Sequence, residues 1–166
     1  GTYDVSDTAT FPFDFGRITV PVELRAADEA ASDPVVLDAG DVTSIFVLSL
    51  PSNVVKLRNI TFRNGNAARE PAHGGAILVA AGTLALEHCG FESNRALAGH
   101  GGALAVIAGD VNATQCTFSG NKAEDGGALA RCARGATRPR SPGPSTACRS
   151  TWRSGSSTAS SAPARW

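Results

Sequence analysis

The chain has no methionine, one tyrosine and two tryptophans among its 166 residues. It has no run of 18 apolar residues, which excludes a membrane-spanning helix on pattern grounds. It has no charged start followed by an apolar stretch, so no secretory leader is visible. The formal net charge is zero, and composition therefore gives no case for a nucleic-acid or anionic-membrane partner. A start at Gly1 with no methionine anywhere reads as part of a longer product. What is present is 42% hydrophobic residues, too many for a disordered chain, at a length expected of one domain.

The zero charge hides a break. Residues 1–130 carry eight basic and all fifteen acidic residues, a formal −7, and residues 131–166 carry seven arginines and no acid, a formal +7. The tail also lacks Val, Ile, Leu, Phe and Lys. Such a segment buries too little apolar surface to offset its ordering entropy, so 131–166 is expected to be disordered. A basic arm for a polyanion is one reading of it. The preferred reading is a frameshift product, because a regular pattern runs to Ala130 and stops mid-strand. Nucleic acid is expected as a partner only if the tail is genuine.

That pattern is an internal repeat. Leu57–Asn64 is followed by His73-Gly74-Gly75-Ala76-Ile77, Leu86–Asn94 by His100-Gly101-Gly102-Ala103-Leu104, and Ala113–Asn121 by Asp125-Gly126-Gly127-Ala128-Leu129. Phe62, Phe91 and Phe118 are 29 and 27 residues apart. Two residues before each Phe stand Ile60, Cys89 and Cys116; five before, Leu57, Leu86 and Ala113; seven before, Val55, Leu84 and Val111. The residues between are polar or small. This is the period-2 alternation of a half-buried strand. Val22-Glu23-Leu24-Arg25 is a weaker upstream copy.

A 25–29-residue repeat of period-2 strands with glycine-rich corners predicts a solenoid. The expected fold is all-β: a right-handed, single-stranded parallel β-helix of about four coils, spaced about 4.8 Å apart, with a disordered C-terminal tail. The right hand follows from the rule for parallel crossovers. Residues 1–16 are expected to form an opening strand or partial cap, 17–130 the β-helix and 131–166 the tail. Val35–Gly40 and Ser44–Leu48 are expected to be strands around a turn. Each Phe is expected to stack on the next, and Asn94 and Asn121, three residues after Phe, to form an amide ladder. Asn64 is one position early.

The alternation of Phe91–Asn94 and Phe118–Asn121 with Gly74–Ile77, Gly101–Leu104 and Gly126–Leu129 resembles the repeats of the polymorphic outer membrane protein family. The resemblance covers roughly residues 54–130. Residues 17–66, with "VVLDAG" and "LRNITFRNG", are also similar to the opening coils of pectate-lyase-like β-helix proteins. The first resemblance implies an extracellular or cell-surface passenger domain, outer-membrane associated and linked to adhesion. Some members carry a C-terminal export barrel, and none is visible in this sequence. The wider fold also hosts polysaccharide lyases and hydrolases, so fold alone does not fix function.

Candidate sites are few. His73, His100 and Asp125 each precede a Gly-Gly-Ala, and on adjacent coils they would form a His/His/carboxylate metal site; the alternative is a set of variable corner residues facing solvent. Gly99-His100-Gly101 resembles a short motif of polygalacturonase-like hydrolases, but no paired Asp accompanies it and the match is read as chance. A lyase needs a calcium-binding Asp cluster beside a basic residue; Asp38 and Asp41 are close in sequence but are expected to belong to one turn. Arg58 and Glu87 are expected to pair across coils, as are Lys56 and Glu23. Cys89 and Cys116 share an inward column and are expected to be buried free thiols. Asn59-Ile-Thr61 and Asn112-Ala-Thr114 fit the glycosylation acceptor pattern.

The structural repeat is thus expected to rest on Phe62, Phe91, Phe118, Asn94, Asn121, Gly74, Gly75, Gly101, Gly102, Gly126 and Gly127. No catalytic residue and no cofactor is assigned. The function expected is a cell-surface or secreted β-helix segment with a structural or adhesive role, its partners surface proteins or glycans. The alternative is a carbohydrate-active β-helix enzyme, a lyase or glycoside hydrolase, whose catalytic coils are missing or degenerate here.

Overall fold

The computed structural model describes residues 2–4, 12–26, 35–68, 72–133, 147–150, 157–158 and 164–165. It is an all-β parallel solenoid, with no α-helix among the described residues. A leading strand β1 (Thr2–Asp4) precedes a loose first coil of β2 (Phe13–Asp14), β3 (Val22–Arg25) and β4 (Val35–Asp38). Three regular coils follow. The first holds β5 (Phe46–Leu48), β6 (Val54–Arg58) and β7 (Ile60–Arg63). The second holds β8 (Ile77–Val79), β9 (Thr83–Glu87), β10 (Gly90–Glu92) and β11 (Arg95–His100), and the third β12 (Leu104–Val106), β13 (Asp110–Thr114), β14 (Thr117–Ser119) and β15 (Lys122–Asp125). Strand β16 (Leu129–Ala133) starts another turn.

Successive coils stack these strands into three long sheets. Sheet A runs β1-β4-β7-β10-β14, sheet B β2-β5-β8-β12-β16 and sheet C β3-β6-β9-β13; β11 and β15 form a two-stranded sheet D. The register is the one the repeat predicts. Val22, Val55, Leu84 and Val111 are partners in sheet C, as are Leu24, Leu57, Leu86 and Ala113. Phe62, Phe91 and Phe118 are partners in sheet A. These columns point inward and form one continuous core with Ile77 and Leu104 of sheet B. The Phe rings stack with centroids 5.1 and 4.9 Å apart. Full burial of one such side chain is worth about 1.5–3 kcal/mol of transfer free energy. Parallel in-register stacking repeats that gain in every coil.

Sheet B departs from simple alternation. Leu78 and Ala105 lie between core-facing residues and Ala130 lies between core Leu129 and exposed Arg131, yet all three are buried. Both faces of sheet B are therefore covered. Its strands accordingly read as unbroken apolar runs, Ile77-Leu78-Val79 and Leu104-Ala105-Val106, the sequence mark of a parallel strand with no wet side.

Residues at the N-terminus join the sheets as strands: β1 pairs in parallel with β4, and β2 with β5. A 3-10 turn at Phe15–Arg17 follows, capped by the Asp14 carboxylate, which accepts from the Gly16 N–H at 2.8 Å. The loop expected at Asp28–Pro34 lies outside the described residues. So does most of 131–166. The part that is described includes three short strands, β17 (Ala147–Ser150), β18 (Ser157–Thr158) and β19 (Ala164–Arg165). They pair antiparallel with β16, β14 and β13. The last coil leaves one open row of N–H and C=O groups per sheet, and backbone pairing there asks nothing of the poor side-chain composition.

Candidate functional site

The Asn ladder is the best-determined polar feature. Asn94 is fully buried. Its Nδ2 donates to the Phe62 carbonyl and to Asn121 Oδ1, both at 3.0 Å, and its Oδ1 accepts from the Gly65 N–H at 2.8 Å. Asn121 repeats this one coil on: Nδ2 donates to the Phe91 carbonyl at 2.9 Å and Oδ1 accepts from the Asn94 N–H at 3.0 Å. Each amide thus satisfies backbone groups at a corner where the sheet ladder is interrupted. Gly65 occupies the equivalent position in the preceding coil and supplies the N–H. Asn64 instead sits at φ 54°, in a column with Ser93 at φ 53° and Gly120 at φ 64°. Its one-residue offset is therefore a change of job, from ladder to left-handed corner.

A second left-handed column, Asn59, His88 and Gln115 at φ 52–53°, makes the corner of one or two residues between sheets C and A. In each Gly-Gly-Ala the first glycine turns the chain: Gly74, Gly101 and Gly126 have φ 66–69°. The second glycine is required by contact. A Cβ on Gly75 would overlap the Gly102 carbonyl oxygen, and one on Gly102 would overlap that of Gly127. The alanines Ala76 and Ala103 enter the core.

His73 and His100 do come together. Their rings stack with centroids 5.0 Å apart and 17° between planes, and the His100 N–H donates to His73 Nδ1 at 3.2 Å. Nearly parallel rings direct their lone pairs side by side rather than at a common point, and the His73 Nδ1 is already engaged. In this arrangement the two rings pack face to face. Asp125 is the register partner of His100, but its side chain lies outside the described residues. Among the described residues no group of three His, Cys, Asp or Glu is placed to hold a metal.

The acidic residues near the first turn are neutralised. Asp38 Oδ2 accepts from Arg63 at 2.8 and 3.0 Å, and Oδ1 from Asn64 at 2.9 Å and the Gly40 N–H at 3.0 Å. Burial alone would raise the Asp38 carboxyl; the bonds from Gly40, Arg63 and Asn64 outweigh it and hold the group below its ordinary value. Asp41 lies 3.3 Å from Arg95 Nε. Carboxylates and guanidiniums of three adjacent coils are thus tied in pairs, which staples the coils and supplies no unengaged base–acid pair.

On sheet C the register partners Arg58 and Glu87 pair straight across, as expected, while the other contacts cross diagonally. Glu87 lies 2.9 Å from both Lys56 Nζ and Arg58 Nε, and Glu23 reaches Arg58 at 3.6 Å. Lys56 and Glu23 are register partners, yet Lys56 is held by Glu87 across the other neighbouring strand. The Lys56 hydrogen bond and the charges of Lys56, Arg58 and His88 lower the Glu87 carboxyl against a smaller effect of burial. Of the two glycosylation-pattern residues, Asn112 is exposed on sheet C and Asn59 is half-buried in its left-handed corner.

Cys89 and Cys116 are buried free thiols in one inward column. The Cys89 sulfur lies 3.4 Å from the Leu57 and Glu87 carbonyl oxygens and Cys116 sulfur 3.4 Å from that of Thr114. Interaction with the Cys116 sulfur, and then burial, push the Cys89 thiol up; the same interaction holds the Cys116 thiol down.

Asn53 was not marked by the repeat. It is buried and fully engaged: Nδ2 donates to the Phe15 and Ile18 carbonyls at 2.8 and 2.9 Å, and Oδ1 accepts from the Leu50 N–H at 2.9 Å. It fastens the 3-10 turn to the first regular coil. The only sequence signal for it is a polar residue inside the apolar-flanked turn Leu50–Val54.

Residues 115–130 match the Chlamydia polymorphic membrane protein repeat. They contain Phe118, Asn121 and Gly126–Leu129, the third copy of the pattern. The chain therefore carries a repeat of an outer-membrane-associated family on a β-solenoid frame. No curated protein and no solved structure matches the chain. No helix among the described residues is long and apolar enough to cross a membrane.

Proposed function

We propose, from the match of residues 115–130 to the Chlamydia polymorphic membrane protein repeat, that this chain is part of a surface-exposed β-helix protein with an adhesive or spacer role. Its partners are proteins or glycans on an opposing surface. The observation that carries this reading is where the polar side chains of the coils go. Asn94, Asn121, Asp38, Arg63 and Glu87 are spent on coil-to-coil bonds, so the repeat builds length and not a convergent reactive pocket. What it offers a partner is the outer face of sheet C, with Asn112, Thr114 and Gln115 on the third regular coil beside the Lys56–Glu87–Arg58 ladder. A stiff rod with such a polar side suits broad, weak, repeated contacts, whose avidity rises with the number engaged.

The test is adhesion of chain-coated beads to epithelial monolayers and to a glycan array. Native chain is expected to bind above heat-denatured chain, and sheet C variants such as Arg58→Glu to change that binding. Equal retention of native and denatured coatings refutes adhesion. Release of unsaturated uronides or reducing sugar from acidic polysaccharides would favour a carbohydrate-active enzyme instead.

A further inference from the structure

We propose that Cys89 and Cys116 form an oxidant-driven covalent clamp between the last two regular coils. They follow the paired strands β9 and β13 at equivalent positions, and the Thr117 N–H donates to the Cys89 carbonyl at 2.9 Å, so the two coils are in register at this corner. In-register coils put their Cα atoms about 5 Å apart, inside the range that a disulfide spans. Both residues sit between strands rather than within one, so their Cβ directions are not fixed by the pleat. Both are free thiols, and the next residue of the column is Ile60, so neither has another cysteine beside it in the described core.

Position in the stack sets the order of events. Cys116 lies in the last parallel coil of sheets A and C; beyond it only the short antiparallel strands β18 and β19 pair there. Solenoids open from their ends, so Cys116 is the thiol that a small oxidant meets first. With hydrogen peroxide as oxidant, the Cys116 thiolate attacks one peroxide oxygen. The O–O bond breaks, leaving a sulfenic acid and hydroxide. The Cys89 thiolate then attacks the Cys116 sulfur, the S–O bond breaks and a second hydroxide leaves. The two thiol protons convert both hydroxides to water. Two electrons pass from the sulfurs to the peroxide, and a thiol reductant restores the open pair. The clamp would close the loop from 89 to 116 and hold the terminal coil against fraying in an oxidising compartment.

The test uses the full chain with Cys132→Ser and Cys148→Ser, treated with hydrogen peroxide in native buffer and in concentrated guanidinium chloride. Trypsin cuts after Arg69, Arg95 and Lys122, so Cys89 and Cys116 fall in separate peptides. The expected product is a linked peptide pair, two hydrogens lighter than the reduced peptides together and reversed by dithiothreitol. It should form several-fold faster in native buffer than in denaturant. The oxidised chain should melt above the Cys116→Ser variant treated alike. Formation no faster in native buffer, sulfinic acid without linkage, or no rise in melting temperature would overturn the proposal.

Discussion

Replacing Asn94 by alanine tests whether amide bonding, rather than packing, joins the coils. The side chain is fully buried and serves three partners. Its removal leaves the Gly65 N–H and the Phe62 carbonyl without a partner, in a site with no room for bulk water. Each orphaned buried group costs about 1–3 kcal/mol, so Asn94→Ala is expected to cost roughly 4 kcal/mol in total. For a chain of this size that corresponds to a fall of about 8–16 °C in melting temperature. Asn121→Ala removes the same chemistry at a half-buried position, where water replaces the lost partners, and should cost only about 1 kcal/mol. Asn94→Asp keeps the size but sets a carboxylate oxygen against the Phe62 carbonyl and Asn121 Oδ1. Burial raises the pKa of such an acid. The folded state then takes up a proton that the unfolded state lacks, so this variant should be regained as pH falls. Urea unfolding followed by circular dichroism measures all three. A cost under about 1 kcal/mol for Asn94→Ala, or a larger cost at Asn121 than at Asn94, would refute the reasoning.

Further outcomes follow from the corners and the charge staples. Gly102→Ala should cost about 3 kcal/mol because its Cβ meets backbone that cannot yield. Gly120→Ala, with Ser93 Oγ at 3.4 Å as its nearest neighbour, should cost only the left-handed penalty of about 1 kcal/mol; comparable melting temperatures would contradict this. Gln115→Asn, at φ 52°, should raise stability by about 0.5 kcal/mol, since Asn tolerates this conformation better, and a loss in urea titration would count against the corner assignment. Asp38→Asn should cost about 1 kcal/mol at neutral pH after allowing for solvent screening of the partly exposed pair. The Asp38 pKa is lowered on folding, so its contribution is full above the unfolded value and lost in acid. The gap between wild type and variant should close below about pH 4; a gap that persists there would show that charge is not its source.

Much of the site was legible by counting. Phe91 to Phe118 and Leu84 to Val111 are both 27 residues apart, and a constant offset between inward residues can only mean stacked coils. Gly-Gly-Ala announced a corner with close backbone approach. The left-handed columns had weaker signals, because His88, Ser93 and Gln115 are ordinary residues whose conformation is imposed by the coils on either side. The spacing of His73 and His100 brings them side by side on adjacent coils, but how their rings face one another depends on orientation, which no spacing encodes. Diagonal pairing of Glu87 with Lys56 likewise depends on rotamers and sheet twist. The tail strands β17–β19 were invisible to composition, because they are held by backbone groups that every residue carries.

The solenoid is written in local order: period-2 alternation sets which side chains face inward, and a repeat of 25–29 residues with matching motifs sets what stacks on what. The partners of the polar groups were set by the winding of the coils. Asn94 reaches Phe62, 32 residues away, and Asp38 reaches Arg63, 25 residues away. Hydrophobic burial depends on which face a residue occupies, and that is written in local order. A hydrogen bond or an ion pair depends on angles and distances between atoms of different coils, and those exist only once the coils are wound.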